Sequence, residues 1–67
     1  MCLNANKLLL ARMNKGLSIN EVTEKTSISR FTLYRLEKGI TKKPSAATIK
    51  KLADLYEKEV SFFFKEE

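Results

Sequence analysis

The stretch Leu17 to Gly39, LSINEVTEKTSISRFTLYRLEKG, reads as two short helices joined by a tight turn. Ser18, followed three residues later by Glu21, has the spacing of a capping box, which predicts the start of the first of these helices. Residues 26–28 (TSI) are too polar and too β-branched to continue that helix comfortably, so we place the turn there.

The second helix of this stretch carries an outer face of unusual composition. Ser29 is a second N-cap, Leu33 and Leu36 form an apolar pair at helical spacing, and Gly39 ends the helix. Two arginines, two aromatic rings and a lysine point away from that pair: Arg30, Phe31, Tyr34, Arg35 and Lys38. An arginine fork matches phosphates and the guanine edge, and aromatic rings can meet thymine methyl groups, so this face suits a nucleic acid.

The stretch resembles the helix-turn-helix of the phage-repressor type, the Cro/C1-type or XRE family. The matching positions inside it are Leu17, Ser18, Glu21, Ile28, Ser29, Arg30, Thr32, Arg35, Glu37 and Gly39. Further matches lie outside it, at Arg12, Gly16, Pro44, Ser45, Leu52, Ala53 and Val60. The resemblance implies an all-α, lambda-repressor-like DNA-binding domain, a compact bundle of about five short helices whose third helix enters the DNA major groove.

The resemblance also assigns roles to individual side chains. It implies base reading by four residues of helix 3 (29–38), which are Arg30, Phe31, Tyr34 and Arg35. It implies DNA phosphate contacts from Ser18, Asn20, Ser29, Thr32, Lys38, Lys42 and Lys43. The alternatives are that Phe31 packs within the protein, that Tyr34 touches a phosphate or a neighbour without reading bases, and that the loop after Gly39 is simply solvated.

Three positions depart from the family pattern. Relatives usually carry a Gln that clasps a phosphate where this chain has Ile19, so that contact is weakened or moves to Ser18, Asn20 and the backbone. Thr23 replaces a small Ala, and Ser27 stands where the turn often has Gly; a serine occupies a left-handed conformation at modest cost.

Arg12 and Glu37 are predicted to pair. In the family an arginine in helix 1 commonly meets the glutamate near the end of helix 3, which would tie the two helices together and place Arg12 near a phosphate. The alternative is two unrelated surface charges of little energetic worth.

The flanking segments predict the remaining helices. Asn4 or Asn6 caps a first helix that runs to about Asn14, with Leu8 and Ala11 on its buried face. Ser45 caps a fourth helix whose apolar stripe consists of Ala46, Ile49, Leu52, Ala53 and Tyr56. This helix should stop near Tyr56 to Lys58, but no residue there favours a positive φ, so we expect it to run on or to end less tightly.

The last segment, Val60 to Phe64, is expected to close the core with Val60 and Phe63. Phe62 and Phe64 cannot both be buried with them in so small a body. They either wrap the flanks of the bundle or form a dimer or partner contact, since many relatives self-associate through this end.

Composition bounds the remaining choices. A chain of 67 residues predicts one domain, 1–67, with its helix-turn-helix core at 17–39. Residues 1–51 hold 11 basic and 3 acidic residues, whereas residues 52–67 hold 2 basic and 5 acidic ones, so the net charges are +8 and −3. There is no His and a single cysteine, Cys2, which argues against metal sites, cofactors and most hydrolytic triads. No apolar run reaches a membrane span of about 18 residues and no signal peptide is visible, so we expect a cytoplasmic protein.

Together these features predict a sequence-specific DNA-binding transcriptional regulator, a repressor that binds operator DNA as a homodimer through helix 3. The alternative is an antitoxin or adaptor-type interaction module that uses the same fold mainly to bind a protein partner. An enzyme ranks a distant third, because no catalytic constellation is visible.

Overall fold

The structure, a computed structural model, describes residues 3–41 and 43–64, and within them it contains only helices and loops. The four α-helices are α1 (Ala5–Asn14), α2 (Ile19–Thr26), α3 (Arg30–Glu37) and α4 (Ala46–Tyr56), and a 3₁₀ helix (Val60–Phe64) follows them. The predicted all-α bundle of about five short helices is confirmed.

Every α-helix begins with a side-chain cap. The residues before them, Asn4, Ser18, Ser29 and Ser45, each accept a hydrogen bond from a backbone N–H three residues further on. Such a cap satisfies one of the N–H groups that a helix start leaves unpaired, so the four starts follow from local sequence. Of the two candidates for the first cap, Asn4 is the one used.

The core lies where α1 meets α3 and the 3₁₀ helix, and where α2 meets α3 and α4. The backbone N–H of Asn4 donates to the carbonyl of Phe63 at 2.7 Å, which ties the start of the described chain to its end. Burial of apolar side chains is the main favourable term in folding. The buried hydrophobic residues are Leu3, Leu8, Ala11, Val22, Ile28, Leu33, Leu36, Ile49, Leu52, Ala53, Tyr56 and Phe63.

The turn between α2 and α3 combines a left-handed backbone at Ser27 with hydrogen bonds from the Thr26 side chain. Ser27 adopts the left-handed conformation, with φ of 63°. The hydroxyl of the buried Thr26 donates to the carbonyl of Val22 at 2.7 Å and accepts from the N–H of Ile28 at 3.2 Å. The second bond satisfies the N–H of Ile28, which the turn leaves outside the helix ladder, and it ties the residue before Ser29 to the end of α2.

The predicted end of α4 near residues 56–58 is confirmed, but two further expectations about this helix were wrong. Ala46 is exposed and not part of the buried stripe, because the inward-facing side begins only at Ile49. The helix also does not run on: Glu57 takes a φ of 60°, and the N–H groups of Glu57 and Lys58 bond back to the carbonyls of Asp54 and Ala53. These closing bonds, with an ion pair between Lys15 and Glu57 at 2.8 Å, offset the cost of a left-handed residue that is not glycine.

Candidate nucleic-acid interface

Helix α3 is held by one face and presents the other to solvent. Leu33 and Leu36 are buried in the core. The side chains that the sequence analysis assigned to base reading, Arg30, Phe31, Tyr34 and Arg35, are all exposed, with Phe31 at 67% and Tyr34 at 53%. Phe31 therefore does not pack inside the protein, which removes the alternative raised for it.

Two pairs of side chains one helical turn apart stack on this exposed face. The guanidinium carbon of Arg35 lies 5.4 Å from the centroid of the Phe31 ring, and the ammonium of Lys38 lies 5.8 Å from the Tyr34 ring. Both distances fall within the range of cation–π attraction. The cations are thus held near the rings before any ligand arrives.

Arg12 fixes the orientation of α3. Its Nε and Nη2 donate to the two carboxylate oxygens of Glu37 at 2.9 and 3.2 Å, and its Nη1 donates to the carbonyl of Leu17 at 2.9 Å. The hydrogen bond with Glu37 is the main reason that the pKa of Arg12 is raised. The predicted partners therefore meet, in a forked pair that joins α1, the end of α3 and the turn before α2.

The N-terminus of α2 is closed by a capping box. The hydroxyl of Ser18 accepts from the N–H of Glu21 at 3.1 Å, and the Glu21 carboxylate accepts from the N–H of Ser18 at 2.8 Å. Ser18 thereby lowers the pKa of Glu21. A phosphate arriving here meets a carboxylate already in place, so of the two phosphate candidates on α2 the exposed Asn20 is the more available donor.

At the start of α3 the two hydroxyl candidates bond to each other. Ser29 accepts from the N–H of Thr32 at 3.1 Å and donates its own hydroxyl proton to the Thr32 hydroxyl oxygen at 2.9 Å. A hydroxyl has a single proton to donate, so that of Ser29 is committed. Thr32 keeps its proton for a phosphate oxygen.

An open groove of about 480 Å³ separates α3 from the N-terminus of α2. Its walls combine cationic, polar and apolar side chains from α1, α2 and α3. They are Leu9, Arg12, Ser18, Ile19, Asn20, Arg30, Tyr34, Glu37 and Lys38. Arg30, Tyr34 and Lys38 thus face this groove as well as solvent, which places them beside the phosphate candidates of α2.

The loop after α3 is described only in part. Lys43 is exposed, and Lys42 lies outside the described residues. Gly39, which follows the end of α3, has the positive φ expected there, 77°. A Cβ atom added to Gly39 would lie 3.7 Å from the Cβ of Ala5.

Phe62 and Phe64 are partly buried and pack against the core. The Phe62 ring meets Phe63 edge-on at 5.2 Å, and the ammonium groups of Lys7 and Lys58 lie 4.8 and 5.1 Å from its centroid. The structure therefore shows these rings wrapping the flank of the bundle. Large exposed apolar side chains occur instead on α1, at Leu10 and Met13, and at Ile40 after α3.

One residue that positions the site was missed. We assigned Thr26 to the turn for its poor helix propensity, but its hydroxyl makes the two bonds that orient α3. The signal was a threonine at a helix end, where its side chain commonly replaces a backbone partner. Among the described residues, none of the His, Cys, Asp and Glu side chains cluster as metal ligands would, and none of the helices is long and apolar enough to cross a membrane.

A short helix with a cationic and aromatic outer face, set by a tight turn against a second capped helix, defines a helix-turn-helix DNA-binding domain. The model of the helix-turn-helix family matches residues 8–63. The chain therefore belongs to this family, the Cro/C1-type (XRE) class, and is a DNA-binding transcriptional regulator.

Solved structures of SinR have a similar fold. The chain is 21% identical to SinR, the master regulator for biofilm formation, in its complex with DNA, with a TM-score of 0.87 over 94% of this chain and 100% of that one. It is 22% identical to the N-terminal DNA-binding domain of SinR from Bacillus subtilis, with a TM-score of 0.87 over 94% and 91%. It also matches SinR in the SinR–SinI complex, at 22% identity and a TM-score of 0.89, and there it spans 62% of that chain.

At these identities the likeness to SinR concerns the fold. No curated relative matches the chain. The family match favours the DNA-binding regulator over the adaptor-type module.

Proposed function

We propose that this chain is a repressor that inserts α3 into the major groove of operator DNA as a homodimer. It works by occupancy, in the cytoplasm where bacterial DNA lies, with residues 1–67 acting as one domain. It needs no cofactor and carries out no catalysis, since blocking or admitting polymerase requires only a bound protein.

The observation that carries the proposal is the exposed face of α3. An α-helix with its side chains is about 10–12 Å across, which fits a major groove about 12 Å wide, and the 8 residues of α3 form two turns along it. On its outer side every large side chain is cationic or aromatic, while Leu33 and Leu36 fix it to the core.

The phosphate contacts are proposed around this face. Asn20, Thr32, Lys38 and Lys43 are the available donors, with Ser18 and Ser29 contributing mainly through the helix starts that they cap. Contacts of this kind set the register and the affinity of the protein on DNA but carry no sequence information.

The dimer is proposed because a two-fold protein reads a two-fold operator. The partly exposed edges of Phe62 and Phe64, at the end of the bundle, are the proposed contact. The SinR structure in complex with DNA supports the binding of DNA by this fold.

Selection of bound sequences from a random DNA pool, at about physiological salt, tests the proposal. The wild type is expected to enrich an inverted repeat, and Arg35→Ala to relax one position in each half. Lys50→Ala, which removes an exposed cation of α4 that pairs with Asp54, serves as the matched control and leaves the motif unchanged. If no motif is enriched and binding weakens steeply as salt is added, the basic face binds polyanions without sequence specificity, and the proposal is wrong.

A further inference from the structure

The four base-reading candidates of α3 do not occupy equivalent places. Arg30 and Tyr34 line the groove beside the N-terminus of α2, next to Ser18 and Asn20. Phe31 and Arg35 do not line that groove and project from the exposed side of the helix. A helix seated in the major groove has phosphates at its flanks and base edges beneath it, so the two pairs face different parts of the DNA.

Phe31 and Arg35 also touch each other. They lie four residues apart, on one side of the helix, with the guanidinium carbon 5.4 Å from the ring centroid. Leu33 and Leu36 are on the opposite, buried side, so neither Phe31 nor Arg35 is needed to hold the core together.

We propose that Phe31 and Arg35 act as one base-reading unit that recognises a thymine methyl and a guanine edge no more than two base pairs apart. Within the unit Phe31 contacts the methyl group and positions the Arg35 guanidinium for its forked bond to guanine. This inference rests on the proposed function and adds to it the sequence feature that α3 reads.

The chemistry of each partner supports this division. An arginine fork donates to the O6 and N7 atoms of guanine, and an apolar ring fits against the C5 methyl of thymine. The ring face attracts the cation, which reduces the freedom that Arg35 must lose on binding. Residues four apart are offset by about 6 Å along a helix, which is less than two base-pair rises of about 3.4 Å. With the guanidinium 5.4 Å from the ring, the two side chains are placed to reach neighbouring or next-neighbouring base pairs.

Selection from a random DNA pool, run in parallel on four proteins, tests the unit. The wild type is expected to enrich a thymine and a guanine at this spacing. Phe31→Leu keeps an apolar group for the methyl but has no ring face, so the thymine preference stays and the guanine preference falls by about two- to fivefold. Arg35→Lys loses the fork and lowers the guanine preference by about tenfold or more.

Tyr34→Leu is the matched control, because it removes an equally exposed ring on the groove side of the same helix. It is expected to weaken binding to all sequences alike and to leave both preferences intact. Circular dichroism of each variant confirms that the fold is retained.

Three results would overturn the unit while leaving a DNA-binding regulator in place. In the first, the wild type enriches a motif that lacks the thymine and guanine at this spacing. In the second, Phe31→Leu leaves the guanine preference unchanged. In the third, Tyr34→Leu lowers the guanine preference as much as Phe31→Leu does. A wild type that enriches no motif at all would overturn both the unit and the proposed function.

Discussion

Two buried hydroxyl groups differ in whether they are paired by hydrogen bonds. The Thr26 hydroxyl is satisfied twice, as donor to Val22 and acceptor from Ile28. The Tyr56 hydroxyl is buried and has no hydrogen-bond partner among the described residues. Since a buried polar group stabilises a protein only when it is paired, the first should matter for stability and the second should not.

Replacing Thr26 with Val leaves the N–H of Ile28 without its acceptor, so we expect the free energy of unfolding to fall by about 1–3 kcal/mol. Thr23→Val is the matched control in the same helix, because the Thr23 hydroxyl is buried with no partner in the described part of the chain. That change should cost little. Urea unfolding followed by circular dichroism measures both, and equal losses would contradict the role given to Thr26.

Tyr56 gives the stability a dependence on alkaline pH. Burial, and after it the nearby Glu37 carboxylate, raise the pKa of its hydroxyl from 10.0 to about 12. Below pH 10 the group is protonated in both states, and above it the unfolded chain releases the proton first. Stability is therefore lost as the pH rises from about 10 to about 12, by on the order of 2 kcal/mol.

Tyr56→Phe removes this titration together with the unpaired hydroxyl. At pH 7 we expect it to be as stable as the wild type or more so, and between pH 10 and pH 12 to lose less stability. Urea unfolding at pH 7, 10 and 11.5 makes the comparison. Parallel pH profiles for the two proteins would show that Tyr56 is not the responsible group.

At the scale of elements, the position of α3 depends on the forked pair of Arg12 and Glu37. Their side chains are 16% and 10% exposed, so the pair is neither fully buried nor a surface contact. Arg12 also bonds the carbonyl of Leu17, so one guanidinium joins α1, α3 and the turn before α2. With its N–H groups turned to these partners, Arg12 is a positioning residue for the DNA-binding face.

Glu37→Gln should lower the free energy of unfolding by about 2 kcal/mol. Breaking an exposed ion pair costs less than about 1 kcal/mol, and breaking a fully buried one costs about 3–5 kcal/mol, so the partly buried pair should fall between them. Asp54→Asn is the matched control, because it breaks the exposed pair of Lys50 and Asp54, and it should cost less than about 0.5 kcal/mol. Equal effects of the two changes would show that Arg12 and Glu37 do not hold α3.

The elements also show what the sequence could predict. Helix starts were predictable because Ser18, Ser29 and Ser45 cap through bonds to residues three positions away. The end of α4 was not, since Glu57 is unfavourable for a positive φ by itself and is accommodated by closing backbone bonds and by Lys15, a residue 42 positions away. Local sequence does not encode such a contact.

In the candidate site, too, local features could be predicted from the sequence and features that depend on tertiary contacts could not. The exposed side of α3 could be predicted from the spacing of Leu33 and Leu36 alone. Arg30 and Tyr34 line the groove whereas Phe31 and Arg35 do not, because α2 packs against one side of α3. This packing is a tertiary contact that local sequence does not predict. For the same reason, the sequence could not show how far Phe62 and Phe64 would be covered by the bundle.

For the whole molecule, the net charge favours binding to a polyanion. The first 51 residues carry a net charge of +8 and the remaining 16 a net charge of −3. The excess of cations lies in the part of the chain that contains α3 and the loop after it, so long-range attraction to a duplex acts mainly on this part.

Each lysine that neutralises a phosphate should contribute to the salt dependence of binding. Lys43→Ala is expected to reduce the slope of log affinity against log salt by about 1, without changing which sequence is preferred. Lys50→Ala, which removes a cation that is already paired with Asp54, should leave the slope unchanged. Titrations of labelled DNA by fluorescence anisotropy at several salt concentrations measure this slope. If Lys43→Ala leaves the slope unchanged, the loop after α3 does not contact DNA phosphates.

Chemical probing of a selected DNA site tests most directly whether α3 reads the major groove. Dimethyl sulfate methylates guanine at N7, in the major groove, and adenine at N3, in the minor groove. We predict that the bound wild type protects guanine N7 atoms within each half-site, and that Arg35→Ala exposes one of them again. Guanines that stay reactive in the complex, or protection confined to adenine N3, would contradict the account.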